Sequence, residues 1–354
     1  MKRVIINIFA SALLAVFLIL GIDIYTDHRL AAEATSELTL EEAEKTQVNA
    51  AVQNPKETKT GDTAENQQET SVEAETDTKE DKPVAYVDAS AKVAVKFNGT
   101  LAAESAVLIN MKDKSIIYKK NAEEELSPAS TTKLMTAITA LRYLNPNQKI
   151  TVGEEIYMVG EGSSTAKLAV GDELTVEQLV QGMLISSGND AAYVLAVNTS
   201  RQILGQALSK RQAVDYFIQF MNANVEWMEL EHTHFNSPDG YDADNQYTSA
   251  GDLAVIAYEA YQNQVIRNIC KMQSVYIAEK DITWHSTNEL LNPDSIYYYD
   301  KAIGMKTGST GNAGKCLVSL AQEGEQLYLC VVLNSDEEGR WNDSVALLEY
   351  GFGL

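Results

Sequence analysis

The sequence predicts a domain of mixed α and β structure (α+β), with an antiparallel sheet packed between clusters of helices. Three observations carry that reading. Apolar, β-branched runs with hairpin spacing stand early, at residues 105–110 and 115–118, and late, at 315–320 and 327–333. Helical periodicity dominates the stretch between them. A sheet built from the first and last segments, with the intervening helices over both faces, buries all of these apolar surfaces at once.

The chain of 354 residues opens on Met1, Lys2 and Arg3, followed by an apolar run from Val4 to Ile24 broken only by Asn7, Ser11 and Asp23. Such a run of roughly twenty residues can cross a bilayer, and the positive start stays in the cytoplasm. Residues 1–24 therefore read as an uncleaved signal anchor, the alternative being a signal peptide cleaved near Ala31 to Ala34. Residues 25–95 read as a disordered acidic linker. Between Ala31 and Lys82 stand fourteen acidic and five basic residues and no aromatic one, too little apolar surface to fold. Residues 96–354 form the folded domain.

Within that domain the first hairpin turns at Lys112, Asp113 and Lys114. Ser127, Pro128 and Ala129 suit a helix start, and Leu134, Ile138, Leu141 and Leu144 then recur at helical spacing. Thr175 caps a helix reaching Leu184, and another helix covers 189–197. Val214, Phe217, Ile218, Met221, Val225 and Met228 form one stripe along a long helix, a core face and not a methionine-lined cofactor site. Ser249 and Asp252 form a capping box that opens a helix through Tyr261. A turn at 323–326 joins the late strands, and a last helix spans 343–350.

A formal net charge of −22 argues against nucleic acid and against adhesion to anionic lipid. Cys270, Cys316 and Cys330 cannot pair completely; the last two lie in strand-like runs as buried thiols. There is no Cys-x-x-Cys, and His232 and His234 lack the spacing of a metal site. No cofactor is expected.

Ser130 and Lys133 lie three residues apart, on one face of the expected helix. A hydroxyl is a weak nucleophile, and an adjacent amine can take its proton if burial lowers the amine's pKa. Two further stretches join this pair: Ser187-Gly-Asn189 and Lys306-Thr-Gly308. Ser-x-x-Lys, a Ser-x-Asn triplet and Lys-Thr-Gly, in that order, mark serine β-lactamases and penicillin-binding proteins. From about residue 100 to its end the chain resembles the low-molecular-weight penicillin-binding proteins, D-alanyl-D-alanine carboxypeptidases of the serine peptidase type.

The resemblance implies a transpeptidase fold, a five-stranded antiparallel sheet between two helical clusters with the active site at the sheet edge. It implies an acyl-enzyme on Ser130 that removes the terminal D-alanine of peptidoglycan stem peptides during cell-wall biogenesis. It also implies covalent inhibition by β-lactams. In these roles Lys133 is the base for Ser130, and Ser187 relays a proton to the leaving amine. Asn189 holds the substrate's amide and steadies the lysine. Lys306 supplies positive potential, Thr307 bonds the terminal carboxylate, and Gly308 completes that motif. The backbone N–H groups of Ser130 and Ser309 form the oxyanion hole.

Arg340, seven residues before Leu347, stands where the family places a carboxylate-binding arginine; the alternative is an exposed arginine among Asp336, Glu337 and Glu338. The segment from His234 to Gly240 resembles one that frames the family's pocket, with no catalysis assigned to Asp239. Asn288 to Asn292 reads as the approach to the sheet edge. Many relatives carry a further β-rich domain and a C-terminal amphipathic anchor, and the sequence ending at Leu354 shows neither. Attachment to the extracytoplasmic face of the membrane therefore falls to the N-terminal segment. The rival functions are a serine β-lactamase, a D,D-endopeptidase, and a wall-binding module without catalysis. Ser-Gly-Asn in place of Ser-Asp-Asn, with no deacylating glutamate, counts against the first; the complete motif set counts against the last.

Overall fold

The computed structural model describes residues 97–354. The apolar run at 4–24 and the acidic segment at 25–95 lie outside the described residues, and with them the expected anchor and linker. Among the described residues no helix is long and apolar enough to cross a membrane.

β1 (Ser105–Asn110) and β2 (Ile116–Lys120) form the early hairpin. A 3-10 turn (Ala129–Thr132) then leads into α1 (Lys133–Tyr143). The helix starts later than the spacing predicts, so Ser130 stands on the turn ahead of it. Ala129, with a left-handed φ of 47°, keeps the residues before it out of the helix, and the 3-10 turn ends before the α pattern begins at Lys133. Ser127 caps nothing; its hydroxyl donates to Asp242 Oδ1 at 3.3 Å.

β3 (Lys149–Thr151) and β4 (Glu173–Thr175) make a short hairpin that carries no sequence signal of its own. α2 (Val176–Leu184) follows, opened as predicted by Thr175, which exchanges hydrogen bonds with Gln178. α3 (Asn189–Leu204) runs a further two turns beyond the predicted 189–197 and stops at Gly205, whose φ is 112°. α4 (Lys210–Trp227) buries Val214, Phe217, Met221 and Val225 of the predicted stripe. α5 (Ala250–Gln262) is capped by Ser249, which accepts from Asp252 N at 3.1 Å. The predicted box is only half made, because Asp252 Oδ2 accepts from His232 N and Thr233 Oγ1 instead, each at 2.8 Å. α6 (Gln264–Cys270) is followed by a second small hairpin, β5 (Ser274–Ile277) and β6 (Ile282–His285). Trp284 on β6 donates its indole N–H to Ala166 O at 2.9 Å.

α1 sits among α2, α3, α4 and α5. Leu134, Met135, Ala137 and Ala140 are therefore all fully buried, whereas Ile138 and Leu141 of the predicted stripe are only partly covered. A helix enclosed by four others needs no polar face.

β7 (Ala302–Thr310), β8 (Gly314–Glu323) and β9 (Gln326–Ser335) complete the sheet, and α7 (Gly339–Phe352) closes the chain. The strand order is β2-β1-β9-β8-β7, antiparallel throughout. Val107 lies opposite Val331 and Leu108 opposite Cys330, so the two ends of the domain pair as expected. The sheet is buried on both faces, which is why its strands read as continuous apolar runs. Val107, Ile109, Val318 and Val331 face the helical cluster containing α1. Leu108, Leu317, Cys330 and Val332 face α7 through Trp341, Leu347 and Leu348. α7 begins ahead of the predicted residue 343 because Asp336 Oδ1 accepts from Gly339 N at 2.6 Å, and this places Arg340 in the first turn. Cys270, Cys316 and Cys330 are free and buried.

Thr175 Oγ1 accepts from Gln178 N at 3.1 Å, and Gln178 Oε1 accepts from Thr175 N at 2.8 Å. Replacing Thr175 with Ala removes a cap worth about 1 kcal/mol. The expected fall in melting temperature is about 2–4 °C, read by calorimetry of the purified domain, and an unchanged transition would show that the cap contributes nothing.

Candidate active site

Two segments, a loop and a strand, converge on the Ser130 turn. Ala129 is fully buried beneath Gly240, whose φ is 81° and where a Cβ would lie 1.9 Å from Ala129 O. On the other side Gly308 of β7 approaches so closely that a Cβ would meet Ala129 Cβ and Pro128 O at 3.1 Å. Glycine at both positions lets strand and loop clamp the turn, and the clamp fixes where Ser130 points. The Gly308 of the third motif thus has a packing role beside any contact with substrate.

Lys133, the first residue of α1, is fully buried. Its Nζ donates to Ser130 Oγ at 2.8 Å and to Asp239 O at 2.6 Å. Burial lowers its pKa to about 8, against the opposing pull of the Asp239 and Asp190 carboxylates. Once neutral, the same amine offers a lone pair to the serine proton.

Ser187 follows α2 in a left-handed conformation, φ 59°, which aims its side chain back at the sheet. Its Oγ accepts from Lys306 Nζ at 2.9 Å, and that amine also donates to Thr307 O at 3.0 Å. Lys306 is held well below the ordinary lysine value, first by burial and then by the charge of Lys133, with Cys270 opposing and Arg340 adding to the fall. The two motif lysines are therefore electrostatically coupled. Two protons on the pair are costlier than one.

Asn189 opens α3 and is 5% exposed. Its Nδ2 donates to Ser163 Oγ at 2.9 Å, and its Oδ1 is buried without a partner. The expectation that Asn189 steadies the lysine is corrected here. The acceptor steadying Lys133 is the backbone carbonyl of Asp239, a contribution that residue-type reasoning could not supply. Thr307 is nearly buried, with its hydroxyl 2.6 Å from Thr287 Oγ1. Ser309 is exposed on β7 and lines, with Ser130, Asn189, Ser163, Tyr241 and Asp242, a cleft of about 290 Å³.

Arg340 is not the exposed arginine of the alternative reading, for its side chain is 12% exposed. The guanidinium lies 4.3 Å from the Trp341 ring centroid and donates to Glu337 Oε1 at 2.6 Å. The other Glu337 oxygen pairs with Lys315 Nζ at 2.6 Å. The Asn288 to Asn292 stretch is a 3-10 turn (Glu289–Leu291) capped by Asn288, leading toward β7 as expected. His232 and His234 serve separate partners, Glu125 at 3.4 Å and Asn245 O at 2.6 Å. The structure thus brings together Ser130, Lys133, Ser187, Asn189, Lys306, Thr307, Gly308 and Ser309, with Arg340 in electrostatic reach of Lys306. It adds Ser163 and the 239–242 segment. Asp239 and Gly240 had a sequence signal in their resemblance to the pocket-framing stretch; Ser163, in a plain Gly-Ser loop, had none.

A hydroxyl beside a buried amine, with a second serine–lysine pair electrostatically coupled to the first, is equipped for acyl transfer. Comparison with known proteins agrees. Residues 89–337 match the profile of the family described as D-alanyl-D-alanine carboxypeptidase. A D-alanyl-D-alanine carboxypeptidase of Streptomyces sp. (strain K15) is 35% identical over 269 residues, which covers 72% of this chain and 89% of that protein. The D-alanyl-D-alanine carboxypeptidase DacA of Escherichia coli (strain K12) is 31% identical over 263 residues, 71% of this chain but only 60% of the relative's length. Among solved structures, the Streptomyces K15 DD-transpeptidase aligns with a TM-score of 0.66 at 34% identity, covering 73% of this chain and all of that one. Penicillin-binding protein D2 of Listeria monocytogenes in its ampicillin-bound form shares the fold, with a TM-score of 0.60 at 24% identity. The family profile spans the segments that build the Ser130 site, and the chain belongs to the D-alanyl-D-alanine carboxypeptidase family of serine peptidases.

Proposed function

We propose that this chain releases the terminal D-alanine from peptidoglycan stem peptides through an acyl-enzyme on Ser130. The observation that carries the reading is the 2.8 Å contact between Ser130 Oγ and the buried amine of Lys133. Neutral Lys133 takes the hydroxyl proton as Oγ attacks the carbonyl of the penultimate D-alanine. The backbone N–H groups of Ser130 and Ser309 receive the developing oxyanion. Collapse of the tetrahedral intermediate breaks the peptide bond, and the departing amine gains a proton relayed through Ser187. Water then attacks the ester by the reverse sequence and frees Ser130. A β-lactam acylates the same hydroxyl by opening its ring. The solved Streptomyces K15 relative is described as a DD-transpeptidase, so delivery of the acyl group to an amine instead of water is the second reading. Measuring D-alanine release with and without an added amine acceptor separates the two.

The enzyme works on the outer face of the membrane, held there by residues 1–24, a reading that the basic start and the apolar run after it support. Cell fractionation should find it in the membrane pellet. A soluble extracellular form beginning near Ala32 or Thr35 would overturn this.

Ser130→Ala should abolish both D-alanine release and covalent penicillin labelling while leaving the circular-dichroism spectrum unchanged. In the wild type, neutral Lys133 is the competent form, and its fraction grows as pH rises through about 8. The kcat/KM profile should therefore ascend through that value. A flat profile, or labelling of the Ala variant at the wild-type level, would sink the assignment.

Arg340 and Thr307 recognise the free terminal carboxylate. Hydrogen bonds to a charged group are worth roughly 1.5–3 kcal/mol. Arg340→Ala should cost about ten- to a hundredfold in kcat/KM for a D-Ala-D-Ala peptide and much less for its C-terminal amide. Equal losses on both peptides would reduce Arg340 to a structural residue of α7.

A further inference from the structure

One wall of the cleft is a loop. Glu161, Gly162, Ser163 and Ser164 line it, and from Ser163 to Leu168 the chain has neither helix nor strand. Its shape therefore depends on what grips it.

α3 grips it from one side. Asn189 N donates to Ser164 O at 2.9 Å. The Asp190 carboxylate, buried at the start of the helix, accepts from Ala166 N at 2.7 Å and, through its other oxygen, from Leu168 N at 3.0 Å. Lys167 between them is left-handed, φ 57°, a turn that brings both N–H groups to one carboxylate. At Gly188 a Cβ would lie 2.7 Å from Ala166 Cβ, so the loop lies directly on the helix entry.

The β5–β6 hairpin grips it from the other side. Trp284 is buried, stands outside the cleft, and donates its indole N–H to Ala166 O at 2.9 Å. Its ring packs so closely on α2 that a Cβ at Gly182 would meet Trp284 Cη2 at 3.0 Å. The hairpin is itself fastened, by the ion pair of Lys280 with Asp172 and by Gln178 Nε2, which donates to Glu279 Oε2 at 2.9 Å. Ala166 is thus held at its N–H by a carboxylate on α3 and at its carbonyl by an indole on β6.

The loop in turn holds Asn189. Ser163 Oγ, which accepts from Asn189 Nδ2 at 2.9 Å, is the one partner of that amide among the described residues. Where Ser163 stands therefore decides where the buried Oδ1 of Asn189 points, and that oxygen is an acceptor for a substrate N–H on the function proposed above, on which this inference rests.

We propose that Trp284 is a positioning residue of the reaction: through Ala166 and Ser163 it fixes the Asn189 amide that receives the substrate. It does so from a hairpin that does not line the cleft. An acceptor aimed before the substrate arrives spares the reaction the ordering of that group.

The test is a pair of double-mutant cycles. Trp284→Phe keeps a ring against Gly182 and removes the N–H. Ser163→Ala breaks the other end of the chain of contacts, at a half-buried loop position whose loss leaves the core intact. Each is made in the wild type and in Asn189→Ala, and two rates are read: acylation of Ser130 by benzylpenicillin, and D-alanine release from a D-Ala-D-Ala peptide. In the wild type each variant should slow both reactions about three- to tenfold, the range of one lost hydrogen bond. In Asn189→Ala neither should slow them further, although Trp284→Phe should lower the melting temperature equally in both backgrounds. A full-sized loss of rate in Asn189→Ala, or an unchanged rate in either single variant, overturns the inference and reduces Trp284 to packing. A wild type that is acylated by penicillin but releases no D-alanine overturns the carboxypeptidase reading and leaves the penicillin cycles to decide this one. A wild type inert to both overturns both.

Discussion

The site exists only because two amines are kept away from water. Burying an ammonium is expensive unless its protons find acceptors, and the fold supplies them from four directions. Lys133 reaches Ser130 and the Asp239 carbonyl; Lys306 reaches Ser187 and the Thr307 carbonyl. Each acceptor belongs to a different local structure: a 3-10 turn, a loop, an interhelix bend and a strand edge. Holding all four in register needs a rigid centre. α1 provides it, enclosed by helices on nearly every side, and its first residue is the lysine itself.

The outer polar shell is organised around one carboxylate. Glu337 takes both Arg340 and Lys315, while Trp341 provides a flat surface for the guanidinium. Without Glu337, the charges of Arg340 and Lys315 would stand uncompensated beside the sheet. With it, the arginine's charge is held in one orientation, yet still close enough to depress Lys306. On the proposed reading, a substrate carboxylate arriving there would meet donors that are already arranged, so little ordering would remain to be done on binding.

The sequence made the strands and the motif residues legible for separate reasons. Long apolar runs with turn residues between them announce β1, β8 and β9, because a sheet covered on both faces leaves no polar side to blur the pattern. The motif serines and lysines were legible because their chemistry needs those types at that spacing. What escaped was conformational or came from the backbone. The 3-10 turn that begins at the left-handed Ala129 holds α1 back to Lys133, and alanine carries no mark of such an angle. The acceptor for Lys133 is a main-chain carbonyl, which any residue at position 239 would possess. β3 to β6 are three or four residues long, too short for alternation to register. The capping box at Ser249 was half right, since Asp252 found partners from a distant loop that local sequence cannot foresee.

The depressed pKa of Lys133 acts on the whole domain as well as on the serine. An ordinary lysine in the unfolded chain holds its proton up to 10.5, whereas the buried one releases it near 8. Between those values the unfolded state binds more protons than the folded one, so the contribution of this group to stability rises with pH across that interval. A gap of that size corresponds to about 3 kcal/mol, a substantial share of what typically separates a domain from its unfolded chain. At neutral pH the fold carries this proton as an internal destabilisation. Mild alkali relieves it while freeing the base, which couples the conditions that firm the domain to those that arm its nucleophile.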